Sequence, residues 1–251
     1  MEEKNLSQKK DNSSEKSRRT IITGDIHGCF DEYEQLLKIV NLNTDYDRLI
    51  ILGDLFDRGP NSYEVLQKTL ELKEKMGERF TWIIGNHEDM LRNAKPDYMT
   101  WAINGNGPTL KSFKEHDDSP LNYIELYESL PTYYKGDGFI CVHAGVDETG
   151  EIPVEETSRD TLIWDRRCAR LGYYNGPLVI AGHTPLKMPI LWQDGEHQVL
   201  NYDTQYDLPD YGFMCIDTAC VYGIALTALV IMNGKMILRK VDSTQKKVKN
   251  M

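Results

Sequence analysis

Five short apolar runs recur along the chain, and each is followed at once by a small residue and a polar one. They read TIITGDIHG from Thr20, RLIILGD from Arg48, FTWIIGNHE from Phe80, GFICVHAG from Gly138 and PLVIAGHT from Pro177. A continuous short apolar run bounded by glycine is typical of a strand buried on both faces, because a half-exposed strand alternates apolar and polar side chains. The pattern therefore predicts five buried strands that each end in a polar residue.

Two helices are predicted between the first three of these strands. Tyr33, Leu36, Leu37 and Val40 recur at the i, i+3, i+4, i+7 spacing of one helical face. Residues 62–76, SYEVLQKTLELKEKM, are rich in strong helix formers. Strands alternating with helices predict a βαβ core with a parallel sheet, in which ligands collect at the carboxyl ends of the strands.

The second half of the chain follows a different pattern. Residues 89 to about 137 predict a mostly helical insertion beside these strand ends. Near the C-terminus, Asn233 and Gly234 separate two apolar runs, which is a strong hairpin signal. These late strands are expected to be antiparallel and to form a second sheet packed on the first.

Length and composition indicate how many domains the chain forms and where its tails begin. The chain has 251 residues, of which 40% are hydrophobic and 27% charged, so it can bury one sizeable core. We expect a single domain over residues 20–242, a disordered polar tail over 1–19 and a basic tail over 243–251. The first tail lacks the apolar stretch of a signal peptide. The longest apolar run, residues 224–232, is far shorter than the roughly 20 residues of a membrane span, so none is predicted.

Cysteine usage and charge narrow the function classes. The five cysteines are odd in number and form no CxxC pair, so the spacing indicates neither a disulfide framework nor a thiolate zinc site. A reducing cytoplasm fits this usage best. The net charge of −10 gives no extended basic surface for duplex nucleic acid. An anionic substrate stays compatible with it, because bound metal ions add positive charge that the sequence omits.

The polar residues at the strand ends form a mixed oxygen and nitrogen ligand set without sulfur. Such a set suits manganese, iron or zinc better than Ca²⁺. Six ligands exceed what one tetrahedral ion uses, so an aspartate shared between two ions is expected, in the arrangement that activates water for attack on phosphorus. His87 is left over. The six ligands are Asp25, His27, Asp54, Asn86, His143 and His183.

The motifs GDIHG, GDLFDRG, GNHE, HAG and GHT, in this order, resemble those of the phosphoprotein phosphatase family. Within the calcineurin-like phosphoesterase superfamily, they are most similar to its bacterial and phage branch. Any one motif is weak, but five in order are specific. The resemblance implies an α/β fold in which a two-sheet β-sandwich is flanked by helices, giving four αββα layers.

The resemblance also implies a role for each matching residue. Asp54 would bridge two divalent or trivalent ions, manganese with iron or zinc as alternatives. His87 would donate a proton to the leaving oxygen, and Asp57 would orient it. Arg58 and Arg166 would bind phosphate, with Arg167 left as an alternative to Arg166. The implied ligands are Asp25, His27 and Asp54 at one site and Asp54, Asn86, His143 and His183 at the other.

Three functions are compatible with these residues. The favoured one is a metal-dependent phosphomonoesterase acting as a serine/threonine protein phosphatase. The alternative is a diadenosine tetraphosphate hydrolase, and a catalytically silent regulator that binds a phosphorylated partner is a third. Ile84 stands where the eukaryotic phosphatases carry arginine, which argues against that branch. His27 stands where symmetrical tetraphosphatases carry glutamine and asymmetrical ones carry histidine, so the symmetrical activity is less favoured. The aromatic side chains of Tyr98, Trp101 and Phe113 could stack on a nucleobase or pack in the core. The sequence does not indicate an oligomeric state.

Overall fold

The computed structural model describes residues 19–95 and 97–247, and within them the chain forms twelve strands and eight α-helices. The strands are β1 (Thr20–Thr23), β2 (Arg48–Ile51), β3 (Phe80–Trp82), β4 (Tyr133–Lys135), β5 (Ile140–Val142), β6 (Val179–Ala181), β7 (Ile190–Gln193), β8 (Glu196–Val199), β9 (Gln205–Asp207), β10 (Phe213–Cys215), β11 (Ala225–Met232) and β12 (Lys235–Asp242). The helices are α1 (Phe30–Ile39), α2 (Ser62–Met76), α3 (Asn86–Arg92), α4 (Tyr98–Ile103), α5 (Gly107–Lys114), α6 (Ile124–Glu128), α7 (Arg159–Trp164) and α8 (Arg167–Leu171).

The strands form two mixed sheets of six. The first has the order β3-β2-β1-β11-β12-β9, with β1, β2 and β3 parallel, which confirms the βαβ prediction. The second has the order β4-β5-β6-β10-β7-β8, and β5, β6 and β10 are parallel within it. The five sequence runs therefore divide between two sheets.

The C-terminal hairpin is confirmed, but its predicted place in a second sheet is wrong. Asn233 and Gly234 have φ values of 53° and 69°, which a type I′ turn requires. Strand β11 pairs antiparallel with the whole length of β1, from Thr20 opposite Ile231 to Thr23 opposite Ala228. The hairpin thus extends the first sheet. Its apolar pattern predicts a strand but carries no information about which sheet edge it joins.

The alternation of side chains along the buried strands explains the unbroken apolar runs. Ile22 and Ile50 point into the core between the sheets, where they share a cluster with Ile180 of the second sheet. Ile21 and Leu49 point the other way, into the core that includes the inner faces of α1 and α2. Both faces of each strand are covered, so both need apolar residues. The predicted two-sheet α/β sandwich flanked by helices is confirmed.

The insertion and the chain ends can be compared with the predictions only in part. Helices α3 to α6 confirm the mostly helical insertion, which ends with strand β4. Residues 1–18 and 248–251 of the two predicted tails lie outside the described residues. Arg19 is held by the Asp47 carboxylate, and Thr244 donates to the Glu32 carboxylate. Among the helices of the described residues, none is long and apolar enough to cross a membrane.

Candidate metal centre

The carboxyl ends of strands from both sheets meet at the carboxylate of Asp54, which follows β2. His27, after β1, places its Nε2 3.5 Å from Asp54 Oδ2. His143, after β5 of the second sheet, places its Nε2 3.4 Å from the same oxygen. Asp54 is 1% exposed, so this meeting point is buried. The sandwich therefore gathers donor atoms from both sheets around one shared carboxylate.

Backbone carbonyls fix how these two imidazoles point. Nδ1 of His27 lies 2.6 Å from the carbonyl oxygen of Phe56, and Nδ1 of His143 lies 2.7 Å from that of Leu52. A carbonyl can only accept, so Nδ1–H donates and the lone pair of each neutral ring is on Nε2. Both lone pairs then face Asp54. This is the orientation in which an imidazole binds a metal ion.

The spacing between donor atoms fits metal coordination. Metal bonds to nitrogen and oxygen of about 2.0 to 2.2 Å place neighbouring ligand atoms about 3.0 to 3.5 Å apart. The separations of Asp54 Oδ2 from His27 and His143 agree with this, as does the 3.0 Å between His143 Nε2 and Asn86 Oδ1. The geometry accommodates two ions that share Asp54.

Electrostatics at the centre also favour cations. Burial opposes the charge of Asp54, but His143 and His87 hold the pKa of its carboxyl well below the usual range. Although burial opposes the charge of His143, Asp54 raises its pKa to about 9. Burial lowers the pKa of His183 to about 2, so this ring is neutral and can bind a metal. In the protein alone, Asp54 therefore favours the protonated form of His143, whose Nε2 lone pair becomes available to a metal ion once that proton is lost.

Asp25 and His183 occupy adjoining positions at the ends of β1 and β6. The backbone N–H of His183 lies 3.0 and 3.1 Å from the two carboxylate oxygens of Asp25. Burial and the neighbouring Asp217 raise the pKa of Asp25 well above its ordinary value. Burial, and then Asp54, raise the pKa of Asp217 to about 6. Several acidic groups are thus buried together, which is costly unless a cation is bound among them.

Donor atoms fall into two compact groups that differ in part from the expected ligand sets. One group contains Asp54, His143 and His183, in agreement with the expectation for the second ion. The other contains His27 and Asp54 together with His87, which was expected to be a proton donor. The expected ligands are all at the strand ends, but Asp25 belongs to neither group.

His87 is fully buried and held by one specific partner. Its Nδ1 lies 2.6 Å from Asp57 Oδ2, while its Nε2 has no hydrogen-bond partner among the described residues and lies 4.0 Å from Asp54 Oδ2. Asp57 also accepts hydrogen bonds from Trp101 Nε1 and Thr109 Oγ1, both at 2.8 Å. The helical insertion therefore fixes Asp57, and Asp57 fixes His87 with one nitrogen directed into the centre.

Trp101 and Thr109 are functional residues that sequence reasoning missed. Trp101, expected either to stack on a nucleobase or to pack in the core, is fully buried, and its Nε1–H donates to Asp57. Phe113 is likewise buried in the core, whereas Tyr98 is 47% exposed. A signal lay in the WAINGNGPTL stretch, where polar residues flank a buried aromatic. Among the three aromatics considered, only Tyr98 is available to a ligand.

Glu88 organises the turns that carry the donor atoms. Its buried carboxylate accepts the backbone N–H groups of Asp54, Leu55 and Gly85, at 2.9, 2.8 and 2.8 Å. Gly85 is required next to it, because a Cβ at this position would lie 2.2 Å from Asp54 Oδ1. The GNHE motif therefore supplies Gly85 and Glu88, which shape the turns, as well as Asn86 and His87. Sequence reasoning gave Glu88 no such part.

Two arginines border the centre, each against a histidine. Arg58 Nη1 lies 2.7 Å from His27 Nε2, and Arg166 Nε lies 3.0 Å from His183 Nε2. Arg167, the alternative to Arg166, instead pairs with the carboxylates of Asp165 and Glu148 at the surface. Arg58 donates to the unprotonated Nε2 of His27, whereas Nε2 of His183 lies between Arg166 and the carbonyl oxygen of Trp164, which is 3.1 Å away. Each guanidinium group thus lies against one of the histidines expected to be a metal ligand.

Backbone strain concentrates in this region. Five of the eleven non-glycine residues with positive φ in the described part of the chain are expected site residues. Such conformations cost on the order of 1 kcal/mol or more each and persist only where surrounding contacts enforce them. Here side chains accept the backbone N–H groups of the strained residues: Glu88 accepts that of Asp54, Thr109 that of Asp57, and Asp25 that of His183. The five are His27 (48°), Asp54 (52°), Asp57 (71°), Arg58 (71°) and His183 (63°).

Comparisons with known proteins agree with this geometry. The asymmetrical bis(5'-nucleosyl)-tetraphosphatase PrpE of Halalkalibacterium halodurans is 28% identical over 240 aligned residues, covering 83% of this chain and 88% of the relative. A symmetrical bis(5'-nucleosyl)-tetraphosphatase of Vibrio parahaemolyticus is 34% identical over 151 residues, covering 60% of this chain and 50% of the relative. The chain thus spans about half the length of that second relative.

A solved structure with a similar fold and a match to a protein family both agree with the sequence relatives. A crystal structure of a candidate diadenosine tetraphosphatase superposes with a TM-score of 0.64 at 21% identity, covering 90% of this chain and 94% of the other. Residues 18–214 match the calcineurin-like phosphoesterase family, whose fold holds a dinuclear metal centre. The chain is therefore a metallophosphoesterase that belongs to the calcineurin-like phosphoesterase family.

Proposed function

We propose that this metallophosphoesterase hydrolyses dinucleoside polyphosphates and cleaves them asymmetrically. The observation that carries a hydrolytic function is the convergence of His27 and His143 Nε2 on Asp54 Oδ2. The choice of substrate is supported by the asymmetrical tetraphosphatase, which aligns over 88% of its length, against 50% for the symmetrical one. The expected histidine of asymmetrical enzymes, His27, supports the same choice. This proposal reverses the order of preference that the motifs alone favoured.

The donor set divides between two ions that share Asp54, with manganese as the first choice and iron or zinc as alternatives. His143, His183 and Asn86 serve one ion, and His27 serves the other. Asp25 completes the second set, since its buried carboxylate lies among acidic groups that a cation would stabilise. When bound, the ions would polarise the phosphoryl group and activate a water molecule for attack on phosphorus.

His87 is the proposed general acid. Its Nδ1 is held by the Asp57 carboxylate, which stabilises the protonated ring, and its Nε2 points into the centre without a partner. A proton on Nε2 can therefore be transferred to the leaving oxygen as the bond to phosphorus breaks. The alternative role as a metal ligand would leave the Asp57 carboxylate as a supporting partner of a metal-bound ring.

Arg58 and Arg166 are the proposed phosphate-binding residues. A phosphate chain brings several negative charges, and a planar guanidinium can donate two parallel hydrogen bonds to its oxygens. In the protein alone both side chains instead donate to histidine nitrogens, at 2.7 and 3.0 Å. If these nitrogens held metal ions, the guanidinium groups would be free to bind the phosphates of the substrate instead.

A second candidate is hydrolysis of phosphoserine or phosphothreonine in proteins, and the His87–Asp57 pair favours it. An alkoxide is a strong base and needs a proton to leave, whereas a nucleotide phosphate is a weak base and leaves more readily. A buried acid held at 2.6 Å from a carboxylate is thus most useful for an ester of serine. The third expectation, a silent regulator, gains no support from a complete set of acid and donor atoms.

The test compares a phosphoserine peptide with diadenosine tetraphosphate, each with added Mn²⁺. Ion-exchange chromatography resolves the products, and the proposal predicts AMP and ATP from the dinucleotide with a higher kcat/KM than for the peptide. The Asp54→Asn protein is the blank, because loss of the shared carboxylate should remove metal binding and turnover. Two molecules of ADP would overturn asymmetrical cleavage. Turnover of the peptide alone would establish the second candidate instead.

A further inference from the structure

Three buried side chains outside the dinuclear centre form a second cluster of metal-binding groups. The cluster consists of Cys29, Glu32 and Cys220, and their donor atoms lie within 4.8 Å of one another. They are 0%, 1% and 2% exposed. Both cysteines are free thiols. The sequence spacing indicated no thiolate site, because these cysteines are far apart in the chain and meet only in the fold.

Two structural elements bring the cluster together. Cys29 directly precedes α1 and Glu32 lies in its first turn, so the two residues lie three positions apart on one side of the helix. Cys220 opens the short 3₁₀ turn Cys220–Tyr222, which connects β10 to β11. The helix start supplies one sulfur and one carboxylate, and the turn supplies the second sulfur.

The carboxylate of Glu32 is satisfied on one oxygen only. Its Oε1 accepts the N–H and the hydroxyl of Thr244, both at 2.8 Å, and the amide of Gln245 at 3.3 Å. Its Oε2 is buried and has no hydrogen-bond partner within residues 19–95 and 97–247. A buried carboxylate oxygen without a partner is costly, and such groups normally face a donor or a cation. The unpartnered oxygen belongs to the same cluster as the two thiols.

We propose that Cys29, Cys220 and Glu32 bind one thiophilic divalent cation, such as Zn²⁺, as a third metal site of this protein. Zinc bonds of about 2.3 Å to sulfur and 2.0 to 2.2 Å to carboxylate oxygen place tetrahedral ligands about 3.4 to 3.8 Å apart. Small side-chain rotations reach that spacing, and a water molecule takes the fourth position. Each thiol releases its proton to solvent on binding. Sulfur ligands select soft ions, unlike the oxygen and nitrogen donors of the dinuclear centre.

The site lies between two parts of the proposed active centre. Cys29 follows His27 by two residues, and its sulfur contacts the His27 carbonyl oxygen at 3.6 Å. Cys220 precedes Tyr222 by two residues, and the Arg58 guanidinium lies 5.8 Å above the Tyr222 ring. An ion bound here would therefore fasten the turn that carries His27 to the turn that supports Arg58. We expect it to stabilise the protein without taking part in hydrolysis.

A cavity borders the segment that covers the Glu32 carboxylate. A cavity of about 610 Å³ is lined by Tyr222, Gly223 and Ser243 among others, and Ser243 contacts Glu32. Residues 243–245 cover the carboxylate from this side through hydrogen bonds. A local movement of this segment would open the cluster to the cavity, with no change in either sheet.

Cobalt absorption tests the proposal, because only sulfur ligands give a thiolate-to-cobalt charge-transfer band. The reduced full-length protein is titrated with Co²⁺ in the absence of oxygen. The intensity of the charge-transfer band should saturate when one Co²⁺ ion per protein molecule is bound at the thiolate site. The band should persist in Asp54→Asn, because the dinuclear centre contributes no sulfur. It should be lost in Cys29→Ser and Cys220→Ser. Cys141→Ala, which alters a buried cysteine outside the cluster, should retain it.

Two results would overturn the proposal. One is the lack of a charge-transfer band in the reduced protein, and the other is a band that survives Cys220→Ser. If a serine variant fails to fold, Glu32→Gln serves instead, since it keeps both thiols and should raise the dissociation constant for Co²⁺. An unchanged dissociation constant in folded Glu32→Gln would show that the carboxylate is no ligand. Since none of these readouts depends on phosphoester hydrolysis, failure here is distinct from failure of the proposed function.

Discussion

Replacing Asp57 by asparagine should leave the fold intact while removing the charge that stabilises protonated His87. The φ of 71° suits asparagine, which tolerates this region well. The amide oxygen can accept from both His87 and Trp101, as Oδ2 does now. The amide nitrogen would then face Thr109 Oγ1, which can accept it and donate to Ser62 Oγ at 3.0 Å. Each hydrogen bond therefore has a substitute, and only the charge is lost.

The size of the effect follows from the geometry of the pair. Opposite charges about 4 Å apart attract by about 4 kcal/mol at an effective dielectric constant of about 20. Since about 1.4 kcal/mol changes a rate tenfold, losing this stabilisation of the protonated ring should reduce kcat by about 10³-fold. This lies within the roughly 10² to 10⁴ that general acid catalysis contributes. Substrates with weakly basic leaving groups should lose much less.

The assay compares three substrates with leaving groups of different basicity. The kcat of Asp57→Asn is measured with a phosphoserine peptide, 4-nitrophenyl phosphate and diadenosine tetraphosphate at saturating Mn²⁺, together with metal content and melting temperature. Asp97→Asn is the matched control, because Asp97 is exposed and caps α4, a position that asparagine fills equally well. An equal loss on all three substrates, with metal content unchanged, would refute the role of Asp57 in holding a proton donor.

Two further substitutions test how the turns hold the donor atoms. Gly85→Ala should reduce metal content, because its Cβ would lie 2.2 Å from Asp54 Oδ1 and 2.5 Å from Asp54 N. Gly107→Ala, whose Cβ meets nothing within 4 Å, should keep metal and activity. If mass spectrometry finds equal metal content in Gly85→Ala and Gly107→Ala, the prediction for Gly85 is wrong. Glu88→Gln should lower the free energy of unfolding by about 1 to 3 kcal/mol, because its amide nitrogen cannot accept a backbone N–H. Urea unfolding measures this loss, and an unchanged midpoint would argue against it.

The sequence by itself determined which segments are strands and which residues are candidate ligands. Apolar runs such as that ending at Gly53 report burial on both faces, since burial acts on each residue locally. The motifs at Asp25, Asp54, Asn86 and His143 lie at the strand ends where the pattern places them. The type I′ hairpin at Asn233 was equally readable, because its backbone requirement falls on two adjacent residues.

Only the tertiary structure decided how these parts meet. The carbonyl of Leu52 orients His143 across 91 positions of the chain, and Trp101 fixes Asp57 across 44. No local pattern encodes such pairs, because they depend on how separate segments pack. The same reason hid the meeting of Cys29 with Cys220 and the sheet edge that β11 joins. Residue types set the chemistry that is available to this protein, and the packing of two sheets and an insertion sets the distances over which that chemistry can act.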